Sequence, residues 1–271
     1  MLKFSAQFRL YRKFRYRKGY GVHSPFTYNL ITKVIEEKTP YYVFNDIENF
    51  RKKLLSAENQ LYKITASETQ HQNYGALLFR LVNFFKCKNV LQIGGSTGVM
   101  SLYLALPLRN ICDCYVLEER SGLLNALADY VNENHLQNLH LIRGDYTENL
   151  LKLKEKIAAF DLIFVNLSGE PDKMQHIIYE VGKLVNKNTL LIVDGITRSP
   201  EMKELWKKIV NHSKTRLTID LLALGIAFFD EKLQKKHYKN YFNYGKKQNL
   251  HKKRRRRIHF VGRWEKSAKK Q

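Results

Sequence analysis

The chain has 271 residues, with 47 Lys+Arg against 25 Asp+Glu and a formal net charge of +22. The excess sits at the ends: residues 1–20 hold seven basic and no acidic residues, residues 232–271 hold sixteen basic and one acidic, and 21–231 balance 24 against 24. With 44% hydrophobic and 12% aromatic residues, this excludes a largely disordered or uniformly cationic chain, and about 200 neutral residues suffice for one principal core. No apolar run approaches the ~20 residues that span a bilayer, and Met1 to Tyr20 is basic and aromatic without a signal-type apolar core. A cytoplasmic protein is expected. Cys87, Cys112 and Cys114 lack a metal-site spacing and read as buried free thiols, the last two on one face of a strand.

In chain order, the first 87 residues read as mostly helical. Phe4, Phe8, Tyr11 and Phe14 fit one amphipathic face able to dock on the body. Helices are expected near Pro25–Glu37, Asp46–Ala57 and Asn73–Lys86, the last packing Leu77, Leu78, Leu81, Val82 and Phe85 on the sheet. From residue 88 strands alternate with helices. The strands are Lys88–Gly94, Asp113–Glu118, Leu139–Arg143, Phe160–Asn166 and Thr189–Asp194, and the helices lie near Gly98–Leu106, Ser121–Asn134, Pro171–Val185 and Pro200–Asn211. Near-continuous apolar strands separated by helices imply a parallel sheet covered on both faces, a doubly wound α/β (Rossmann-like) fold. Arg216–Leu222 and Leu224–Phe229 leave no room for a helix and make an antiparallel hairpin at the sheet edge. From Lys232 there is little apolar periodicity, and Lys252–Arg257 places six cations together.

Val90 to Ala105 reads as strand, glycine turn and helix, with Gly94, Gly95, Ser96 and Gly98 as candidate cofactor contacts. A triphosphate loop needs Gly-Lys-Ser/Thr at the helix start, whereas Gly98 is followed by Val99 and Met100. The dinucleotide spacing G-x-G-x-x-G is also missing. The same residues satisfy G-x-S-x-G, the nucleophile elbow of α/β-hydrolases, with Ser96 as nucleophile, Asp194 as acid and His212 or His237 as base. Against that reading, the preceding segment is helical rather than stranded, and no oxyanion segment comes before the turn. Glu118 ends the next strand, where a carboxylate can accept hydrogen bonds from both hydroxyls of an adenosine ribose. Asp145 follows the third strand at the same sheet edge and can accept from an adenine amino group, and Tyr146 either stacks on the adenine or packs a helix.

Val90–Leu104, Glu118, Gly144-Asp145, Phe160–Asn166, Leu190–Asp194 and the terminal hairpin resemble a class I S-adenosylmethionine-dependent methyltransferase of the small O-methyltransferase-like branch. Gly21-Val22-His23-Ser24-Pro25-Phe26 and Tyr74–Phe85 resemble the amino-terminal part of bacterial methyltransferases of the Bacteroidetes type. The resemblance implies a seven-stranded sheet of order 3-2-1-4-5-7-6 with the last strand antiparallel. It divides the chain into a basic segment and helical lid (1–69), an S-adenosylmethionine-binding domain (70–231) and a basic tail (232–271). Gln92 stands where the family has an acidic residue, and Ser96 where it has its middle glycine.

Metal-dependent members of the family hold a divalent cation with an Asp ending the fourth strand and an acidic pair ending the fifth. Asn166 and Asp194-Gly195 stand there and make a poor cage, so no metal is expected. Asp194, Asn166 and His23 remain candidates for orienting or deprotonating an acceptor, with His71 a second histidine of the lid. The expected activity is methyl transfer to an acceptor oxygen. The basic ends suggest RNA or an anionic surface as partner, hence an RNA-directed methyltransferase or RNA-binding protein as a second reading. A non-catalytic cofactor-binding relic is the third, motivated by Gln92, Asn166 and Gly195.

Overall fold

The strands at the centre of the sheet send successive side chains to opposite faces, and both faces are apolar. In β1 (Asn89–Ile93), β4 (Leu162–Val165) and β5 (Leu190–Asp194), residues Val90, Leu162, Phe164, Leu190 and Ile192 join one apolar cluster, while Leu91, Ile93, Ile163, Val165, Leu191 and Val193 join the other. Strands buried on both sides need helices on both sides. α3 (Val43–Ser56), α5 (Gln72–Phe85), α6 (Val99–Ala105) and α7 (Asn125–Glu133) contribute to the first cluster; α8 (Tyr146–Lys156), α9 (Pro171–Gly182) and α10 (Pro200–Asn211) contribute to the second. This computed structural model describes residues 6–16, 18–68, 72–109, 111–167 and 171–244.

With β2 (Asp113–Glu118), β3 (Leu139–Arg143), β6 (Leu217–Asp220), β7 (Leu224–Phe228) and β8 (Lys236–Lys239), the sheet runs in the order β3-β2-β1-β4-β5-β7-β6-β8. The first seven strands follow the implied order, and β7 is antiparallel to both β5 and β6. Among the described residues the sheet has eight strands rather than seven. β8 pairs parallel to β6, with the Lys236 and Asn240 N–H groups donating to Arg216 and Asp220 carbonyls at 2.8 and 2.9 Å. An edge strand held by its backbone needs no apolar pattern, which is why the Lys-His-Tyr-Lys sequence of β8 carries none.

Two helices have no strong sequence signal, α4 (Gln60–Glu68) and α8. α8 supplies the crossover between β3 and β4, and the Asp145 carboxylate caps it by accepting from the Glu148 N–H at 2.9 Å. The helix expected over Pro25–Glu37 is α2 (Pro25–Leu30) continued by a π-helical turn, Ile31–Ile35. There the buried Arg80 donates from Nε to the Val34 carbonyl at 2.7 Å, taking an acceptor within the turn.

The amino-terminal helix α1 (Ala6–Arg15) is rotated opposite to expectation. Arg12, only 4% exposed, donates from Nη1 to Asp220 Oδ1 at 3.1 Å and to the Asn240 carbonyl at 3.4 Å, while Tyr11 and Phe14 face outward. Burial of the guanidinium is sustained by its Asp220 counter-charge. Phe4, the Phe8 side chain, His71 and Lys252–Arg257 lie outside the described residues. Among the described residues no helix is long and apolar enough to cross a membrane.

The three cysteines are free and buried. Burial pushes all three thiols up, Cys112 to about 12, with Asp113 adding to the effect there. Native protein should therefore be inert to a thiol reagent at neutral pH and react at all three positions once denatured. A colorimetric thiol titration with and without denaturant checks this, and rapid native labelling would contradict it.

Candidate functional site

The carboxyl ends of the parallel strands share one edge of the sheet, and the loop after β1 is built into it. Gly94 and Gly95 both donate their N–H groups to the Leu117 carbonyl at 3.0 Å, drawing the loop onto β2. Gly94 has φ +88°, and a Cβ there would sit 2.2 Å from the Asn166 carbonyl oxygen, so neither conformation nor space admits a side chain. A Cβ on Gly95 or Gly98 would lie 2.4 Å from Val116 or Leu127. The glycines are thus demanded by the loop's own packing, before any ligand is considered.

Ser96 adopts φ +53°, a left-handed conformation that a glycine would hold without strain. Its N–H donates to Glu118 Oε2 at 2.6 Å. The Glu118 carboxylate is fully buried, and its Oε1 also accepts from the Arg120 N–H at 3.1 Å, from Arg120 Nε at 3.0 Å and from the Tyr146 hydroxyl at 3.5 Å. Burial pushes the Tyr146 hydroxyl up, and the Glu118 charge adds to it, so this phenol remains a donor. Gly94, Gly95, Ser96, Glu118, Asp145 and Tyr146 thereby gather around the ends of β1, β2 and β3. Gly98 closes the loop as the cap of α6, its N–H donating to the Gly95 carbonyl at 3.0 Å. Beneath the loop, Gln92 is fully buried; its Nε2 donates to the Gly94 carbonyl at 3.2 Å, while Oε1 has no donor among the described residues.

A second cluster stands at the ends of β4 and β5. Asp194 is 1% exposed; its Oδ1 accepts from the Tyr74 hydroxyl at 2.9 Å, and its Oδ2 is ion-paired to Arg198 Nη2. Arg198 also donates from Nη1 to the Leu167 carbonyl at 2.7 Å. Burial pushes the Asp194 carboxyl up, and the Arg198 guanidinium and the Tyr74 hydroxyl offset part of that push. Tyr74 is itself pushed up by burial and by the Asp194 charge. The Tyr244 ring lies 6.0 Å from that of Tyr74, and its hydroxyl donates to the Leu221 carbonyl at 2.7 Å. Tyr74, Arg198, Tyr244 and Arg120 were not singled out from the sequence. The one local signal was the four-residue spacing of Asp194 and Arg198.

Asn166 is partly exposed, and its N–H continues the ladder to the Ile93 carbonyl at 2.9 Å. With both Asp194 oxygens engaged by Tyr74 and Arg198, Asn166 and Asp194 do not present the oxygen set that a hard divalent cation requires. His23 is not brought to this edge. It is exposed, and three residues on, Phe26 packs against Phe228, which pairs with Leu190 at the opposite end of β5 from Asp194.

The hydrolase triad is not assembled either. Asp194 is held by Tyr74 and Arg198, His212 Nδ1 accepts from the Lys214 N–H at 3.2 Å, and His237 bonds Thr218 at 2.7 Å on β8. β8 is five strand positions from β1, about 24 Å by strand spacing.

No family model matches the sequence, and no curated protein matches it. Solved structures do match. A methyltransferase of Podospora anserina with SAH bound is 13% identical, over 76% of this chain and 96% of its own, with a TM-score of 0.59. The O-methyltransferase TomG of Streptomyces achromogenes, involved in tomaymycin synthesis and solved with SAM, is 17% identical over 71% and 99% of the two chains, with a TM-score of 0.53. An O-methyltransferase of Bacillus cereus in complex with SAH is 15% identical over 74% and 96%, with a TM-score of 0.52. At these identities the likeness is one of architecture: the chain has the Rossmann-like α/β fold of these methyltransferases, with a mixed sheet.

Proposed function

We propose that the chain is a cytoplasmic S-adenosylmethionine-dependent methyltransferase that transfers the methyl group to an acceptor oxygen. The observation that carries this reading is the Ser96 N–H to Glu118 bond of 2.6 Å, which joins the glycine loop to the acid ending β2 inside this sheet order. Known structures of the same fold are described as holding SAM or SAH.

The residues fit such a cofactor. Glu118 would accept from the ribose hydroxyls, exchanging its Arg120 partner for them. Asp145 and Tyr146 would border the adenine. The donor-less Gln92 Oε1 beneath the loop can accept from the ammonium of the methionyl end, a neutral replacement for the acid usual there. When bound, the cofactor supplies an electrophilic methyl group on a sulfonium. This chain's residues then have to hold the acceptor in line at about 3–3.5 Å and keep water out.

Asp194 cannot serve as an exposed base while both its oxygens are engaged. We assign it as a positioning residue that fixes the Tyr74 hydroxyl and the Arg198 guanidinium at the wall where an acceptor would lie. No step is assigned to a divalent cation, since the donor set does not suit one. A non-catalytic cofactor-binding protein is the second reading, favoured by this sealed carboxylate; detection of labelled-methyl transfer to any acceptor would sink it.

The deciding measurement is calorimetric titration of the full chain with S-adenosylmethionine and S-adenosylhomocysteine. Binding of both in the micromolar range is expected. Absence of heat with either ligand, together with no protection against thermal unfolding, ends the methyltransferase reading.

A further inference from the structure

We infer that α1 and the basic carboxyl-terminal end dock this protein on the surface of an anionic lipid bilayer. The inference does not depend on the methyltransferase reading. Leu10, Tyr11 and Phe14 are 54%, 56% and 64% exposed and lie side by side on one face of α1. The exposed Lys13 and Arg15 flank that face on its two sides. Tyr20, 69% exposed, extends it, with the Arg15 guanidinium 5.2 Å from its ring centroid.

The helix has no freedom to roll this apolar stripe onto the core. Arg12, on the back of α1, is anchored to Asp220 and to the Asn240 carbonyl. A helix that buries Arg12 and keeps Leu10, Tyr11 and Phe14 each more than half exposed presents that stripe at the surface of the molecule.

The chemistry of the stripe selects the occupant. An apolar centre rimmed by cations matches the boundary between acyl chains and anionic headgroups. Single-stranded RNA fits less well, because the aliphatic Leu10 amid the stripe offers no flat face for a base. A second basic signal starts from the same place. The Tyr241 N–H donates to the Tyr16 carbonyl at 2.9 Å, so the carboxyl-terminal segment passes the end of α1, and residues 245–271, which follow, carry twelve basic residues and one acidic. An amphipathic helix plus a polybasic segment is the two-signal combination that makes peripheral binding stable and reversible. Asp220 and Val193 both oppose Gly225, so the anchor of α1 stands at the same end of the sheet as Asp194. The docked face therefore adjoins the end of the sheet that holds the candidate site.

The test is co-sedimentation of the full chain with phosphatidylcholine vesicles, with and without phosphatidylglycerol. Sedimentation that requires phosphatidylglycerol and falls with salt is expected. The Leu10→Ser/Phe14→Ser variant, altered only at exposed positions, should keep its unfolding midpoint and lose about tenfold in partitioning. Glutamine at all six positions from Lys252 to Arg257 should weaken the dependence on phosphatidylglycerol. Equal sedimentation with neutral and anionic vesicles, or undiminished binding by the serine variant, would overturn the proposal. Displacement of the protein from vesicles by stoichiometric oligouridylate would overturn it in favour of an RNA partner.

Discussion

Replacing Arg198 by methionine should lower the unfolding free energy by about 3 kcal/mol at neutral pH, measured by urea unfolding. Removing one partner of a buried ion pair costs about 3–5 kcal/mol because the other charge is left in low dielectric, and the lower end applies here since Arg198 is itself 34% exposed. The loss depends on pH with a definite sign. Burial holds the folded Asp194 carboxyl above its unfolded value, so in the pH window between the two values the folded state keeps a proton that the unfolded state has released. Its contribution is fully present below the unfolded value and declines as pH rises through the window above it. Without Arg198 the folded value rises further and the window widens. The variant should therefore lie closest to wild type in acid and furthest from it at neutral pH. The double variant Arg198→Met/Asp194→Asn should recover much of the loss, because it removes the stranded charge as well. A pH-independent difference, or no recovery, would show that the pair is not the source of the stability.

Substituting Glu118 by alanine is expected to weaken S-adenosylhomocysteine binding by ten- to hundredfold, about 1.4–2.8 kcal/mol, the range for losing a charged hydrogen-bond acceptor. The side chain is buried and holds the Ser96 N–H, so alanine also frees the loop, with a stability cost of about 1–3 kcal/mol. Titration well below the variant's unfolding midpoint separates the two effects. Glu118→Gln, which keeps one acceptor oxygen, should fall between wild type and alanine. If wild type binds and the alanine variant binds equally well, the ribose assignment is wrong while the cofactor assignment stands.

Most of the seven strands that could be read in advance are buried by the sheet, the exception being the edge strand β3, of which only Leu139 is buried. Val90 and Leu91, or Phe164 and Val165, are both apolar because each face of the sheet is packed, and such runs are visible without coordinates. β8 has no such requirement, since its backbone ladder to β6 does the holding. α8 hid behind a charged surface, showing only Leu150 and Leu153 as buried aliphatic positions. The cluster at the ends of β1, β2 and β3 was legible because its residues stand at strand ends, whose positions follow once the strands are known. The other cluster was not. Tyr74, Asp194, Arg198 and Tyr244 come from a helix, a strand end, a loop and the segment after β8, and only the closed fold makes them neighbours. The rotation of α1 is not legible for a related reason: periodicity identifies the apolar face but not which face the body receives, and the Arg12–Asp220 pair decides that.

β8 also bears on how the rim of the sheet is closed. Of its four residues three are exposed, and two of those are lysines, so among the described residues the rim of the sheet is a row of backbone groups guarded by positive charge. Flat apolar rims recruit strands from other molecules; a short, cationic one repels them. β6 behind it has the opposite character, with Leu217, Thr218 and Ile219 buried. A chain ended at Glu231, where the balance of charges would place the boundary of the body, would uncover that rim and invite strand exchange between copies. The lysines of β8 thus act as an end-stop for the sheet.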